Sequence, residues 1–177
     1  MNHNLKKIIM AALFAALACV ATMSIRIPTP GTGGYVHPGD AIVILSGIIL
    51  GPGYGFLAAG IGSALADLLG GYLIYVPITF IIKGMVAFAS GQICRKLSTA
   101  GQRRPLAVLL CGVCDTVFVV LGYFLCEIPL YGITASAASM PANLIQGISG
   151  LILASVLYPV VMAVPDIRQI AYQAENP

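Results

Sequence analysis

The stretch Tyr35–Lys83, YVHPGDAIVILSGIILGPGYGFLAAGIGSALADLLGGYLIYVPITFIIK, decides the fold. It leaves a Gly-rich polar loop that holds Gly31, Gly33, Gly34, Tyr35, His37, Gly39 and Asp40, then runs through apolar segments carrying Asp67 at one end and Lys83 inside another. A charge at a bilayer centre costs about 2.5 to 3.5 kcal/mol on insertion scales, so ionisable groups in such segments face an interior cavity and mark a pathway or a binding site. Asp40 stands at an N-cap position before a short helix, 40–51. Gly51-Pro52-Gly53 breaks that helix, and a second, 53–69, follows with a seam of small residues at Gly55, Ala59, Gly62 and Ala66 beside Ala58. The two form a tight hairpin. Gly70 and Gly71 turn the chain, Pro77 suits a first helical turn, and Lys83 lies about two turns inside the next helix, 77–94. At about 1.5 Å per residue it is about 9 Å below the helix start, within reach of Asp67.

Composition agrees. Of 177 residues 59% are hydrophobic and 8% charged, with a mean hydropathy of +0.96, far from the soluble balance of about 25% charged. The expected fold class is an all-α integral membrane protein with six transmembrane helices. Six crossings of about 20 residues use about 120 residues, which leaves no room for a soluble catalytic domain, so the chain is read as a single membrane domain, 1–177. The net charge of +3 is small, and nucleic acid is not expected as a partner.

Upstream, the apolar run behind Lys6 and Lys7 resembles a signal peptide in its basic start, but it is long enough to span and is read as the first helix, 5–25. Ala11, Ala15, Ala18 and Thr22 share one of its faces, with Ala12 and Ala16 beside them. Small residues at this spacing let another backbone approach closely, either within the protein or from a partner. Pro28, Pro30 and Pro38 with the glycines keep 26–39 out of regular helix, as an outer loop of lid length. Downstream, a polar loop with Arg95, Lys96, Arg103 and Arg104 leads to a helix at 105–126 with Asp115 near mid-depth. A loop with Glu127, Pro129 and Gly132 then leads to the last helix, 139–164, carrying Asn143 and Gln146 in its first turns.

Six crossings put Lys6, Lys7, Arg95, Lys96, Arg103, Arg104 and Arg168 on one side and only Arg26 on the other. Excess Lys and Arg mark the cytoplasmic side, so both termini are expected there, with the outer loop and the polar ends of the helices outside. Asp67, Lys83 and Asp115 are read as site residues or as a structural ion-pair set that fixes register. Asn143 and Gln146 face one side and suit a polar heterocycle or a neighbouring helix. His37 and Asp40 could reach a ligand from the loop, while Tyr35, Tyr72, Tyr75 and Tyr131 suit either an interfacial belt or stacking on an aromatic ligand. Cys111-Gly112-Val113-Cys114 lacks a second pair at metal spacing and is read as packing, so no metal is expected. Ser63 and Asp67 lack a base to complete a nucleophile, and no GxxxxGK[ST] loop occurs, so neither an enzyme nor an ATPase is expected.

Taken together, Ile27-Pro28-Thr29-Pro30-Gly31, Gly34-Tyr35-Val36-His37-Pro38-Gly39-Asp40, Leu50-Gly51-Pro52, Gly60-Ile61-Gly62-Ser63-Ala64-Leu65-Ala66-Asp67, Phe80-Ile81-Ile82-Lys83-Gly84 and Pro141-Ala142-Asn143-Leu144-Ile145-Gln146-Gly147 resemble the substrate-binding S components of energy-coupling factor (ECF) transporters. The likeness covers nearly the whole chain and is closest to the branch linked to hydroxymethylpyrimidine and pyridoxine. It implies a multi-pass protein of a prokaryotic plasma membrane that captures a vitamin or precursor with high affinity from outside. It also implies a complex with a transmembrane coupling protein and two ABC-type ATPases, which use the ATP; no cofactor is expected in this chain. The resemblance assigns docking on the coupling protein to Ala11 and Ala15, and by extension to Ala12, Ala16 and Ala18. Asp67, Lys83, Asn143 and Gln146 would fix the polar edge of the ligand, with Tyr35, His37, Asp40 and Tyr75 around it. Cys114-Asp115 falls outside these motifs. A stand-alone ion-coupled secondary transporter, with Asp115 and Lys83 as a proton relay, is the alternative.

Overall fold

A computed structural model describes residues 3–99 and 104–175. In chain order its elements are α1 (His3–Ser24), the two-residue strands β1 (Ile27–Pro28) and β2 (Tyr35–Val36), α2 (Asp40–Gly70), α3 (Tyr75–Thr99), α4 (Arg104–Tyr131), α5 (Ile133–Met162) and α6 (Pro165–Glu175). Among the described residues five helices, α1 to α5, are long and apolar enough to cross a membrane.

The longest of them is bent. Gly51 inside α2 has φ 79° and ψ 176°, a conformation that breaks the helical ladder. A Cβ added at Gly55 would come within 2.8 Å of the Gly47 Cα, whereas residues eight apart in a straight helix lie about 12 Å apart. The expected hairpin therefore forms within α2, its arms meeting glycine on glycine. The first arm is the centre of the protein, with Val43, Ile44, Leu45 and Ile49 fully buried. The small residues of the second arm face inward, and a Cβ at Gly62 would run into the backbone of α1 at Ala15. Leu13, Leu17, Leu109, Val113, Leu121, Ile152 and Val156 are exposed around the rim, as expected where hydrocarbon replaces water.

Several boundaries differ from those expected. Asp40 is the first residue of α2 rather than its cap, which is Gly39. Arg95 and Lys96 occupy the end of α3 rather than a loop, where cations complement the helix dipole. Arg103 lies outside the described residues. Glu127 and Pro129 belong to α4, and the turn to α5 is made by Gly132 alone, at φ 83°. A proline this close to a helix end removes one hydrogen bond without stopping the helix. As a result α5 begins at Ile133 rather than Ser139. The tail around Arg168 is helical too: α6 buries Ile170, Ala171 and Ala174, with Ala174 against Gly51, and Asp166 accepts from Lys6 of α1 at 2.5 Å.

Candidate functional site

The loop 25–39 folds over one end of the bundle. Its two strands pair antiparallel, Ile27 with Val36 and Pro28 with Tyr35, and the Thr29 amide donates to the Gly34 carbonyl at 3.0 Å to close the hairpin. Beneath it α2 ends at Asp67, α3 begins at Tyr75, α4 ends past Glu127 and α5 contributes Asn143. Thr29, Gly34, Tyr35 and His37 from the loop, together with Asp67, Tyr75, Thr79, Tyr123, Glu127 and Asn143, line a cavity of about 10 Å³, room for about one water.

Its walls are polar and well bonded. Tyr35 donates its hydroxyl to Asp67 Oδ1 at 2.7 Å, and its ring lies 4.4 Å from that of Tyr72. Burial, reinforced by Asp67, pushes the Tyr35 hydroxyl up, so it remains a donor. Tyr75 donates to Glu127 Oε1 at 2.9 Å, Ser139 donates to Glu127 Oε2 at 2.6 Å, and Thr79 shares a hydrogen bond with Tyr123 at 3.0 Å. Of the residues lining the cavity, two leave a buried atom with no hydrogen-bond partner among the described residues, Asp67 at Oδ2 and Asn143 at Nδ2. In a native site such orphans point to a ligand or water that completes them.

A second polar layer lies deeper. Lys83 Nζ stands 2.5 Å from Asp40 Oδ1, both side chains fully buried. Gln146 Nε2 donates to Asp40 Oδ2 at 2.9 Å, and Gln146 Oε1 accepts the His37 amide at 3.2 Å. The loop is thereby tied to the ion pair through one glutamine. His37 is buried, and burial pushes its imidazole down to about 4, with Lys83 adding to the effect and Asp40 opposing it. The Gly39 amide donates to His37 Nδ1 at 3.1 Å, which requires that nitrogen to be unprotonated. Asp115 is fully buried with both carboxylate oxygens unpartnered among the described residues, and α5 passes beside it and Asp40 at Gly150.

Of the expected site residues, Tyr35, His37, Asp67, Tyr75 and Asn143 line the cavity, while Asp40, Lys83 and Gln146 form the layer beneath. The expected approach of Lys83 to Asp67 is corrected: the lysine pairs with Asp40, because the fold-back at Gly51 brings the start of α2 beside α3. Thr79, Tyr123 and Glu127 escaped the sequence reading. Their signal was the spacing of four between Tyr75 and Thr79 and between Tyr123 and Glu127, which sets each pair on one helical face. The cysteines are free, and among the described residues no cluster of His, Cys, Asp or Glu is arranged to hold a metal.

A second surface runs along α1 and the second arm of α2. Ala11, Ala12, Ala15 and Ala16 line an apolar groove with Tyr54, Leu57, Ile61 and Leu65. Ala18 does not join them: it shares the face of Ala11 and Ala15 but is fully buried towards the interior, as are Phe14 and Thr22.

Comparison with known proteins agrees with this architecture. The family model for the S component of the ECF-type riboflavin transporter matches residues 2–163. A protein of Pyrococcus woesei known only as uncharacterized is 34% identical over 134 residues, 76% of this chain and 86% of the relative. The thiamine precursor transporter HmpT of Lactococcus lactis subsp. cremoris is 28% identical over 161 residues, 90% of each chain. The solved S component of a bacterial ECF transporter shares the fold at TM-score 0.66 and 18% identity, covering 91% of this chain and 98% of that one. An S component for biotin from an ECF-type ABC transporter does so at TM-score 0.60 and 16% identity, covering 90% and 95%. The family model, HmpT and the two solved structures are all of transporters or their components rather than enzymes, and the chain belongs to the ECF-type riboflavin transporter S-component family.

Proposed function

We propose that this chain is the capture subunit of an ECF-type importer, binding a vitamin or precursor of the hydroxymethylpyrimidine or pyridoxine kind from outside the cell. The observation that carries the reading is the lidded cavity with two orphaned polar atoms, Asp67 Oδ2 and Asn143 Nδ2, beneath the loop 25–39. Its residues bind without covalent chemistry: Asp67 and Asn143 hold the polar edge of the ligand, the tyrosines cover its faces, and Asp40, Lys83 and Gln146 hold the loop from below.

Orientation and crossing number belong to the same reading. Lys6 and Asp166 meet although they stand near opposite ends of the chain, so an even number of crossings separates them. Counting the two arms of α2 separately gives six. Lys6, Lys7, Arg95, Lys96 and Arg168 share that end, which supports cytoplasmic termini. The groove at Ala11, Ala12, Ala15 and Ala16 is then the docking face for a transmembrane coupling protein, whose two ABC-type ATPases consume the ATP.

The test is mass spectrometry of small molecules that copurify with the full chain in detergent, beside an Asp67→Ala variant. An unmodified vitamin present with the wild type and lost from the variant is expected. A folded wild-type preparation that carries no ligand and binds none of the water-soluble vitamins would overturn the capture reading.

A further inference from the structure

The charge of the cavity narrows what it takes. Two of its lining residues, Asp67 and Glu127, are acids, and no lysine or arginine is among them. Lys83, the one buried Lys or Arg among the described residues, is engaged by Asp40 at 2.5 Å; its ammonium stands behind the lining residue Tyr123, 5.5 Å from the ring centroid, and Lys83 is not itself among the lining residues. Arg26 stands outside over Tyr35, 5.8 Å from the ring centroid, and is exposed to solvent. The Glu127 oxygens are each bonded by a hydroxyl, from Tyr75 and from Ser139, whereas Asp67 Oδ2 is left over. The orphans are therefore one acceptor of acidic character and one amide donor, among three tyrosine rings.

We infer that the site, on the capture reading above, selects a nitrogen heteroaromatic of basic or cationic character and rejects phosphorylated or carboxylated molecules of the same size. The ligand presents an N–H, such as an exocyclic amine or a protonated ring nitrogen, to Asp67 Oδ2, and a neighbouring acceptor to Asn143 Nδ2. A charged donor on a carboxylate makes the stronger class of hydrogen bond, and the faces of Tyr35, Tyr75 and Tyr123 favour a flat cation. An anion would meet two acids with no basic partner to compensate them, and like-charge contact is strongly unfavourable where water is excluded. This separates the site from one built for a carboxylate, in which a free lysine or arginine would line the wall.

The test uses four probes on the detergent-solubilised full chain: 4-amino-5-hydroxymethyl-2-methylpyrimidine, its phosphate monoester, riboflavin and biotin. Titration calorimetry is expected to show tight binding of the aminopyrimidine, a loss of about 100-fold or more on phosphorylation, and no binding of biotin. In Asp67→Asn the aminopyrimidine weakens and the penalty for the phosphate shrinks. Equal affinity for the alcohol and its phosphate, or preference for biotin or riboflavin, would overturn the charge class and leave capture standing. Failure of all four to bind a folded wild-type chain would overturn capture and this inference together. Because the wild type alone reports the discrimination, the test does not depend on the variant folding.

Discussion

Lys83 was legible in the sequence as a buried cation that needs a partner, but the partner expected for it, Asp67, is not the one it takes. An ammonium among Phe80, Ile81, Ile82 and Met85 had to have a reason, and the structure supplies one: Asp40 at 2.5 Å, itself fixed by Gln146. Its partner was not legible, because Asp40 reaches α3 only through the bend at Gly51 and the packing of the first arm at the centre. Removing one member of a buried pair leaves an uncompensated charge, so Lys83→Met is expected to cost about 3 to 5 kcal/mol, and Asp40→Asn in the same chain to restore much of it. Reaction of the buried Cys94 and Cys111 with a thiol dye during thermal unfolding in detergent checks this. Additive losses in the double variant would show that the pair is not the source of the cost. Asp67 and Asn143 were legible for the same reason as Lys83, as polar groups in apolar helices, and both line the cavity. Glu127 was hidden by Pro129, which suggested a loop where the helix continues.

At the scale of elements, the loop and the bend were written in glycine and proline, and both stand where expected. Helix ends were not, since Pro129 and the basic residues after Cys94 are compatible with either a last turn or a loop. The loop's fastening carries a pH dependence. His37 holds Gly39 through an unprotonated Nδ1, and its imidazole is pushed from an ordinary 6.5 down to about 4. The unfolded or lifted loop therefore binds the proton more readily than the closed one. The closed form keeps its full stability above pH 6.5 and loses about 3 kcal/mol as the pH falls through 4. Unfolding midpoints between pH 7 and pH 4 should fall for the wild type and flatten in His37→Gln, and the His37 ring resonances should titrate near 4. Titration near 6.5 would show an imidazole open to water.

For the whole molecule, sequence composition sufficed to recognise an all-helical membrane chain, and the placement of basic residues sufficed to suggest its sidedness. The two candidate faces, each suggested by the sequence, lie apart in the structure. The lidded cavity is at one end, and the alanine groove runs along the flank of α1 and the second arm of α2. Separation predicts separable phenotypes. Ala12→Leu with Ala16→Leu, both exposed positions, is expected to change ligand affinity less than about twofold, because the sites share no contacts, while preventing copurification with the coupling protein. Loss of ligand binding in that variant would join the two faces. Ala15 is unsuited to the experiment, since it packs on Gly62. Ala18 is buried and reports on folding instead.

On the proposed capture reading, a chamber with room for about one water also sets the tempo of uptake. No flat heterocycle enters it while Tyr35 is bonded to Asp67 and His37 to Gln146, so each arrival waits for the strap to release. Encounter from solution is then followed by a unimolecular step, and at high ligand concentration the observed association rate levels off at the frequency of that release. The same two hydrogen bonds, remade over the captured molecule, delay its escape, so slow entry and long residence share one structural cause.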